Sequence, residues 1–183
     1  TDDLFTHSQM EYDLHDLGAS STFAKLESEM TADYDGDADE RASAVSYTYD
    51  NTHGSVLTMT EHGEVNADSD GSWTDSGSDD RLTEYTYATN TTMVLPVTET
   101  LKNDAGTKVA ETRLYYDNLA LGSVTLGNLT TQERWISGSN YVEDTFTYDS
   151  YGNVVSEMDG EGNTTLFEYD SDNLKVSSTT NAL

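Results

Sequence analysis

Phe146-Thr147-Tyr148-Asp149-Ser150-Tyr151-Gly152-Asn153 is the stretch on which the fold turns. Alternation at Phe146 and Tyr148 places two aromatic rings on one face of an extended segment, while Thr147 points the other way. Asp149 is suited to accept backbone N–H bonds and start a turn, and Gly152 takes a positive φ without a steric penalty. The stretch therefore reads as the end of a β-strand entering a turn. Beyond it, residues 153–158 read as a strand, Asp159-Gly160-Glu161-Gly162-Asn163 as a turn, and residues 164–169 as the returning strand. That pattern is a β-hairpin.

The same unit recurs along the chain: an aromatic or apolar residue, any residue, Tyr, and usually Asp. It stands at Met10-Glu11-Tyr12-Asp13, Tyr47-Thr48-Tyr49-Asp50, Tyr85-Thr86-Tyr87-Ala88, Leu114-Tyr115-Tyr116-Asp117, Phe146-Thr147-Tyr148-Asp149 and Phe167-Glu168-Tyr169-Asp170. The spacing is degenerate and tightest at the C-terminal end. Such internal similarity marks a repeat architecture. Further hairpins are expected from residues 97–102 with 108–116, 128–136 with 141–148, and 56–61 with 81–87. The last pair is joined by residues 66–80, an acidic Asp, Ser and Gly stretch that reads as a surface loop or disordered segment. Residues 1–44 are expected to be an irregular, partly β lead-in with an acidic loop, and residues 45–183 a hairpin array. Within the lead-in, residues 9–14 read as strand, whereas residues 22–30 carry enough helix formers (Ala24, Lys25, Leu26, Glu27) to leave strand and helix both open. A single proline and no long face of helical period argue against a helical bundle.

Composition narrows the partners. Eight Lys+Arg stand against 35 Asp+Glu, a formal net charge of −27, and the few bases are scattered singly. A phosphate-binding surface needs clustered Lys and Arg, so nucleic acid is not an expected partner, nor is docking on an anionic membrane. The longest apolar run, residues 93–97, contains Pro96 and falls far short of a membrane-spanning helix, so no membrane insertion is expected. So negative a surface suits either screening in concentrated salt or Ca²⁺ binding. The absence of cysteine removes disulfides, thiolate metal sites and cysteine nucleophiles. An opening at Thr1 without a leader reads as a mature product or a piece of something longer. A hydrophobic fraction of 34% is low for a compact globule and better suited to a thin β structure.

With these motifs in view, the sequence resembles the YD-repeat, or Rhs, family, which includes the shell components of insecticidal toxin complexes and the teneurins. The likeness is carried by Leu114-Tyr115-Tyr116-Asp117-Asn118, Gly122-Ser123-Val124-Thr125-Leu126-Gly127-Asn128-Leu129-Thr130, Phe146-Thr147-Tyr148-Asp149-Ser150-Tyr151-Gly152-Asn153-Val154-Val155 and Asp159-Gly160-Glu161-Gly162-Asn163-Thr164-Thr165-Leu166-Phe167-Glu168-Tyr169-Asp170. It implies an all-β strip of consecutive antiparallel β-hairpins that curves into a shell, with neighbours jointly burying the face that no hairpin hides alone. The repeat-defining structural residues are then Tyr49, Asp50, Tyr87, Tyr116, Asp117, Tyr148, Asp149, Gly152, Tyr169 and Asp170. The implied role is a structural, non-catalytic segment of an extracellular or cell-surface shell, scaffold or self-assembling filament. Its expected partners are neighbouring repeats or further copies joined by β-edge pairing, and an encapsulated toxin domain. The alternative is a cell-surface adhesin that binds glycans or a partner. The chain carries neither the self-cleaving aspartate segment that closes many shells nor an effector domain after it.

Residues that could carry chemistry are few. His7, His15, His53 and His62 show no metal-binding spacing and read as solvated loop or strand histidines. No GxSxG is present, and with so many acids no carboxylate pair stands out for hydrolysis. Asp33, Asp35, Asp37 and Asp39 alternate around Gly36, which suits an oxygen-ligated Ca²⁺; Ala44, where a bidentate Glu would be needed, excludes an EF-hand. Asp68 and Asp70 with Asp75 form a weaker version. Apart from Ca²⁺, no cofactor is expected. Asn90, Asn128 and Asn163 begin Asn-x-Thr sequons and are candidate glycosylation sites.

Overall fold

The computed structural model describes residues 5–18, 21–34, 41–68 and 70–182, and its regular structure is entirely β. The strands are β1 (Phe5–Gly18), β2 (Ser21–Tyr34), β3 (Arg41–Tyr49), β4 (Val56–Ala67), β5 (Trp73–Asp75), β6 (Arg81–Thr89) and β7 (Val94–Asn103). They continue with β8 (Lys108–Tyr116), β9 (Leu129–Ser137), β10 (Asn140–Tyr148), β11 (Val154–Met158), β12 (Thr164–Tyr169) and β13 (Val176–Asn181). Neighbours in sequence are neighbours in the sheet, in the order β1-β2-β3-β4-β6-β7-β8-β9-β10-β11-β12-β13, with β5 on β4. The all-β expectation of hairpin following hairpin is met.

Two units divide the chain: Thr1–Tyr85 with Thr100–Val109, and Thr86–Glu99 with Ala110–Leu183. The boundaries of these units fall within β6, β7 and β8. In the first unit, Met30, Ala32, Ala42, Ala44 and Val65 are buried. Register explains the cluster: Met30 lies opposite Ala44, and Ala32, Ala42 and Val65 form one row across β2, β3 and β4. Side chains this small leave room above them, and Ala67 and Trp73 pack into it. In the second unit Ala88, Val97 and Tyr116 are buried, with Leu95, Leu114, Val124 and Leu129 packed around them.

Several expectations need correction. The lead-in is regular: β1 and β2 are fourteen-residue strands paired along their length. Residues 22–30 are strand, not helix, because β2 has a partner on each side in β1 and β3, and pairing overrides a weak local preference. The acidic stretch 66–80 holds β5, whose Trp73 lies opposite Ala67. The large apolar area of that indole draws the stretch onto the sheet despite its polar composition.

One tight turn serves several hairpins. The N–H of Asn103, Asp149 and Asp159 donates to the C=O of Thr107, Asn153 and Asn163, and their C=O groups accept from Gly106, Gly152 and Gly162. This is a type I turn followed by a left-handed residue, a geometry that matches the twist of the flanking strands. The three glycines have φ of 73°, 88° and 88°. A Cβ built on Gly152 meets nothing within 4 Å, so a substitution there is penalised by backbone conformation alone. Gly152→Ala is therefore predicted to lower unfolding free energy by about 1–2 kcal/mol and Gly152→Asn by clearly less, read as the shift in urea midpoint; equal stability of all three would contradict the turn assignment.

Candidate functional site

The repeated Tyr-Asp unit is the most strongly organised feature of the chain. Tyr49, Tyr116, Tyr148 and Tyr169 each end a strand, and each donates its phenolic O–H to a carbonyl on the strand before. The acceptors are Leu26 at 2.9 Å, Pro96 at 2.8 Å, Leu129 at 2.7 Å and Val154 at 3.0 Å. Each of these tyrosines also sits at a register shift against the strand that follows, where Leu57, Thr130, Val155 and Ser177 are the extra residues. Such bulges sharpen the local twist and re-aim side chains.

The two features interlock. At their bulges Tyr12, Tyr116 and Tyr148 lie opposite Leu26, Leu129 and Val154. Those same three residues supply the carbonyls that receive the next tyrosines, Tyr49, Tyr148 and Tyr169. Met10-Glu11-Tyr12-Asp13 obeys the bulge rule but not the turn rule, since β1 runs on past it to Gly18. Tyr12 has no preceding strand among the described residues; its hydroxyl turns to Met10 Sδ at 3.4 Å.

The flanking positions of the unit have their own partners. Thr48, Thr86 and Thr147, each between two aromatics, share hydroxyl hydrogen bonds with Thr58, Thr98 and Ser156, each at 2.6 Å. At two bulges the extra residue supplies a hydroxyl: Thr130 donates to the Tyr115 carbonyl and Ser177 to that of Glu168. Burial pushes the phenols of Tyr49, Tyr87, Tyr116 and Tyr148 up from their ordinary range. In the Tyr87 unit the turn residue comes two positions later, where Asn90 Oδ1 accepts from the N–H of Thr92 and Met93.

The aspartates are turn anchors. Asp50 Oδ1 accepts from the N–H of Thr52 and His53, Asp149 Oδ1 from Tyr151 and Asn153, and Asp170 Oδ1 from Leu174 and Lys175. Asp117 does most. Asp117 and Asn118 both have φ of 57° and form a tight reversal closed by the Leu119 N–H on the Tyr116 carbonyl. The chain then loops back, and Asp117 Oδ2 takes the N–H of Thr125, Leu126 and Gly127 and the Thr125 hydroxyl, while Oδ1 takes the N–H of Asn128. Partial burial pushes this carboxyl up, but the N–H groups of Gly127, Thr125, Asn128 and Leu126 outweigh it and hold the group well below the usual carboxylate range. Carboxylates so committed are weak bases, suited to holding loops rather than moving protons.

Of the calcium candidates, Asp33 is exposed and accepts the Thr6 hydroxyl at 2.7 Å; Asp35, Asp37 and Asp39 lie outside the described residues. Asp70 Oδ1 takes the N–H and hydroxyl of Ser72 within its own turn. Asp75 lies elsewhere, with His62 and Asp80, where one ligand atom from each falls within 4.8 Å of the others. No linear spacing announces this group, which forms only because β5 folds back onto β4. Among the sequons, Asn90 Nδ2 donates to the Thr125 carbonyl, Asn163 Nδ2 to Asp159, and the Asn128 N–H to Asp117.

Residues 148–183, which hold the Tyr148 and Tyr169 clasps, match the family model described as RHS Repeat. That segment carries the RHS repeat. No curated protein matches it. Among solved structures, a crystal structure of TcdB2-TccC3-Cdc42 matches at 14% identity and a TM-score of 0.46, over 96% of this chain and 9% of that one. The Photorhabdus luminescens Tc holotoxin pore matches at 12% and 0.32, over 89% of this chain and 11% of that one. A porin-like protein from Bacteroides uniformis matches at 13% and 0.37, over 98% and 88%. The chain thus spans a small part of the Tc toxin chains it is similar to, and its fold rests on its own strand pairing. No helix among its described residues is long and apolar enough to cross a membrane.

The Asp117 geometry fixes a pH dependence. Its folded-state pKa is depressed, so its stabilisation is present above the unfolded value of about 3.9 and is lost as pH falls through the folded value. Asp117→Asn is predicted to cost about 1.5–3 kcal/mol at neutral pH and to flatten the loss of stability on acidification below about pH 4. Urea titrations of both proteins across that range measure it; parallel pH profiles would contradict it.

Proposed function

We propose that this chain is a structural, non-catalytic RHS-repeat segment of a shell or scaffold wall, working outside the cell or at its surface, with an enclosed toxic domain as its cargo. The observation that carries the reading is the interlocked clasp, in which Leu26, Leu129 and Val154 each face the tyrosine of one unit and bond the tyrosine of the next. A sheet assembled this way extends by addition and is held at the ends of β3, β8, β10 and β12. The RHS repeat at residues 148–183 supports a wall built of such units. β1 and β13 stand at the two ends of the strand order, and neighbouring repeats or further copies are the partners that fit their unpaired sides.

A wall has an inner and an outer face, and the cysteine-free sequence offers a clean test. Ser156 lies opposite Leu166 and Glu157 opposite Thr165, so the exposed Leu166 and Glu157 are on opposite faces of the sheet. In the native assembly, Leu166→Cys and Glu157→Cys are expected to differ strongly in labelling by a bulky polymer-maleimide and to label alike once denatured. Equal labelling of both in the native state would overturn the enclosing wall.

A second reading, an adhesin module, draws on a groove of about 620 Å³ in the first unit, lined by Met10, Glu11, Tyr12, Asp70 and Trp73. Aromatic faces beside acidic acceptors suit sugar rings and hydroxyls. On that reading a glycan-array signal appears with the wild type and is lost in Tyr12→Ala; an array without signal removes it.

A further inference from the structure

We infer that His62, Asp75 and Asp80 form a binding site for one zinc-class divalent cation, which clips the acidic strap between β4 and β6 onto the sheet. Two ligands come from that strap, Asp75 at the end of β5 and Asp80 in the residue before β6, and the third, His62, from β4 in the sheet. The three donor atoms all lie within 4.8 Å of one another.

An independent observation points to a missing positive charge. His62 Nδ1 and Asp80 Oδ1 are both buried atoms without a hydrogen-bond partner among the described residues. They face each other at 3.5 Å, and their side chains are 16% and 25% exposed. Nε2 of the same imidazole is 2.8 Å from Ser46 Oγ. In the tautomer that gives the Nε2 proton to Ser46, Nδ1 turns a bare lone pair toward a carboxylate oxygen, and a cation between them would satisfy both. Metal-bound histidines commonly hold their second nitrogen in this way. The His62–Asp80 separation fits as well, since bonds of about 2.0–2.2 Å at tetrahedral angles place two ligand atoms roughly 3.3–3.6 Å apart, and Asp75 stands within 4.8 Å of both.

The donor chemistry selects the ion. One imidazole nitrogen with carboxylate oxygens suits zinc and similar transition ions, whereas Ca²⁺ and Mg²⁺ take all-oxygen shells. With three protein ligands a fourth position falls to water. Asp75 Oδ1 accepts from the Gly77 N–H. Asp79 is turned away, its Oδ2 accepting from the Glu64 N–H. The Trp73 ring stands 4.8 Å from the imidazole, tilted 49°, and completes an apolar wall beside the site. A cation here closes a loop that otherwise holds to the sheet through the short β4–β5 pairing and that indole.

The test is calorimetric titration of the full metal-free chain with ZnCl₂ in excess Ca²⁺ and Mg²⁺, which occupy non-specific surface carboxylates. One equivalent is expected to bind saturably, with proteolysis of the strap slowed in parallel. His62→Gln and Asp80→Asn are expected to weaken binding by about tenfold or more, whereas Asp70→Asn, in the same strap but outside the site, retains it. Should either ligand variant unfold, Zn²⁺ protection of the wild-type His62 imidazole from acylation, mapped by mass spectrometry, decides instead. Absence of a one-equivalent phase, binding unchanged in both ligand variants, or unprotected His62 would overturn the site and leave a plain imidazole–carboxylate contact, without touching the wall function.

Discussion

The hydrogen bond from a repeat tyrosine to the carbonyl of the preceding strand is the constraint on which the sheet depends. A hairpin's own ladder fixes its two strands to each other but does little to fix where their ends lie against the hairpin before. The tyrosine does this from the strand terminus, where pairing otherwise frays. A single such bond contributes about 1 kcal/mol. Its larger effect is register, since a slip by one residue would turn the ring to the other face and leave both hydroxyl and carbonyl without partners. Leu26, Leu129 and Val154 each face one tyrosine across a bulge and receive the next. Correct seating of one unit therefore prepares the acceptor for its successor.

This arrangement suits a chain with little to bury. The two apolar clusters are small and rich in alanine, and Met30 is the one large side chain almost fully enclosed among the described residues. Order comes instead from directional contacts that recur among the units: phenol to carbonyl, hydroxyl to hydroxyl across strands, and aspartate to turn. The same economy explains part of the acidic composition. Asp50, Asp117, Asp149, Asp159 and Asp170 are structural acceptors whose carboxyls are held below their ordinary range, so these charges do work inside the fold.

Much of this was legible in the sequence, because its signals are local. Tyr148-Asp149 with Gly152 two positions beyond the first turn residue specifies ring, cap and turn within a few residues, and the hairpins from β7 to β12 fall where alternation and turn chemistry place them. What was not legible depends on distant contacts. The strand nature of residues 22–30 is decided by β1 and β3, not by Ala24 or Leu26. Trp73 reveals nothing of its destination in an acidic stretch, and β5 exists because Ala32, Ala42 and Ala44 leave space for it. His62, Asp75 and Asp80 converge for the same reason, whereas the alternating aspartates around Gly36 have a clear linear pattern and, at Asp33, an ordinary threonine partner. Tyr12 shows the limit from the other side: its motif is intact and its bulge forms, yet no turn follows.

The clasp also accounts for the uneven spacing of the repeats. The sequence distance between a tyrosine and its acceptor is 23, 20, 19 and 15 residues in the four clasps, while the bond length stays within 2.7–3.0 Å. Only the two ends of the span are fixed: the acceptor near the start of one strand and the ring at the close of the next. Strands between them lengthen or shorten in step, and the loop anchored by Asp117 falls between spans, after the ring of Tyr116 and before the next acceptor at Leu129. Loop closure penalises such insertions weakly, by about 0.6 kcal/mol for each doubling of length. A repeat defined by its joints rather than by its length tolerates drift in everything between the joints, which is why the Tyr-Asp unit persists through a chain whose period does not.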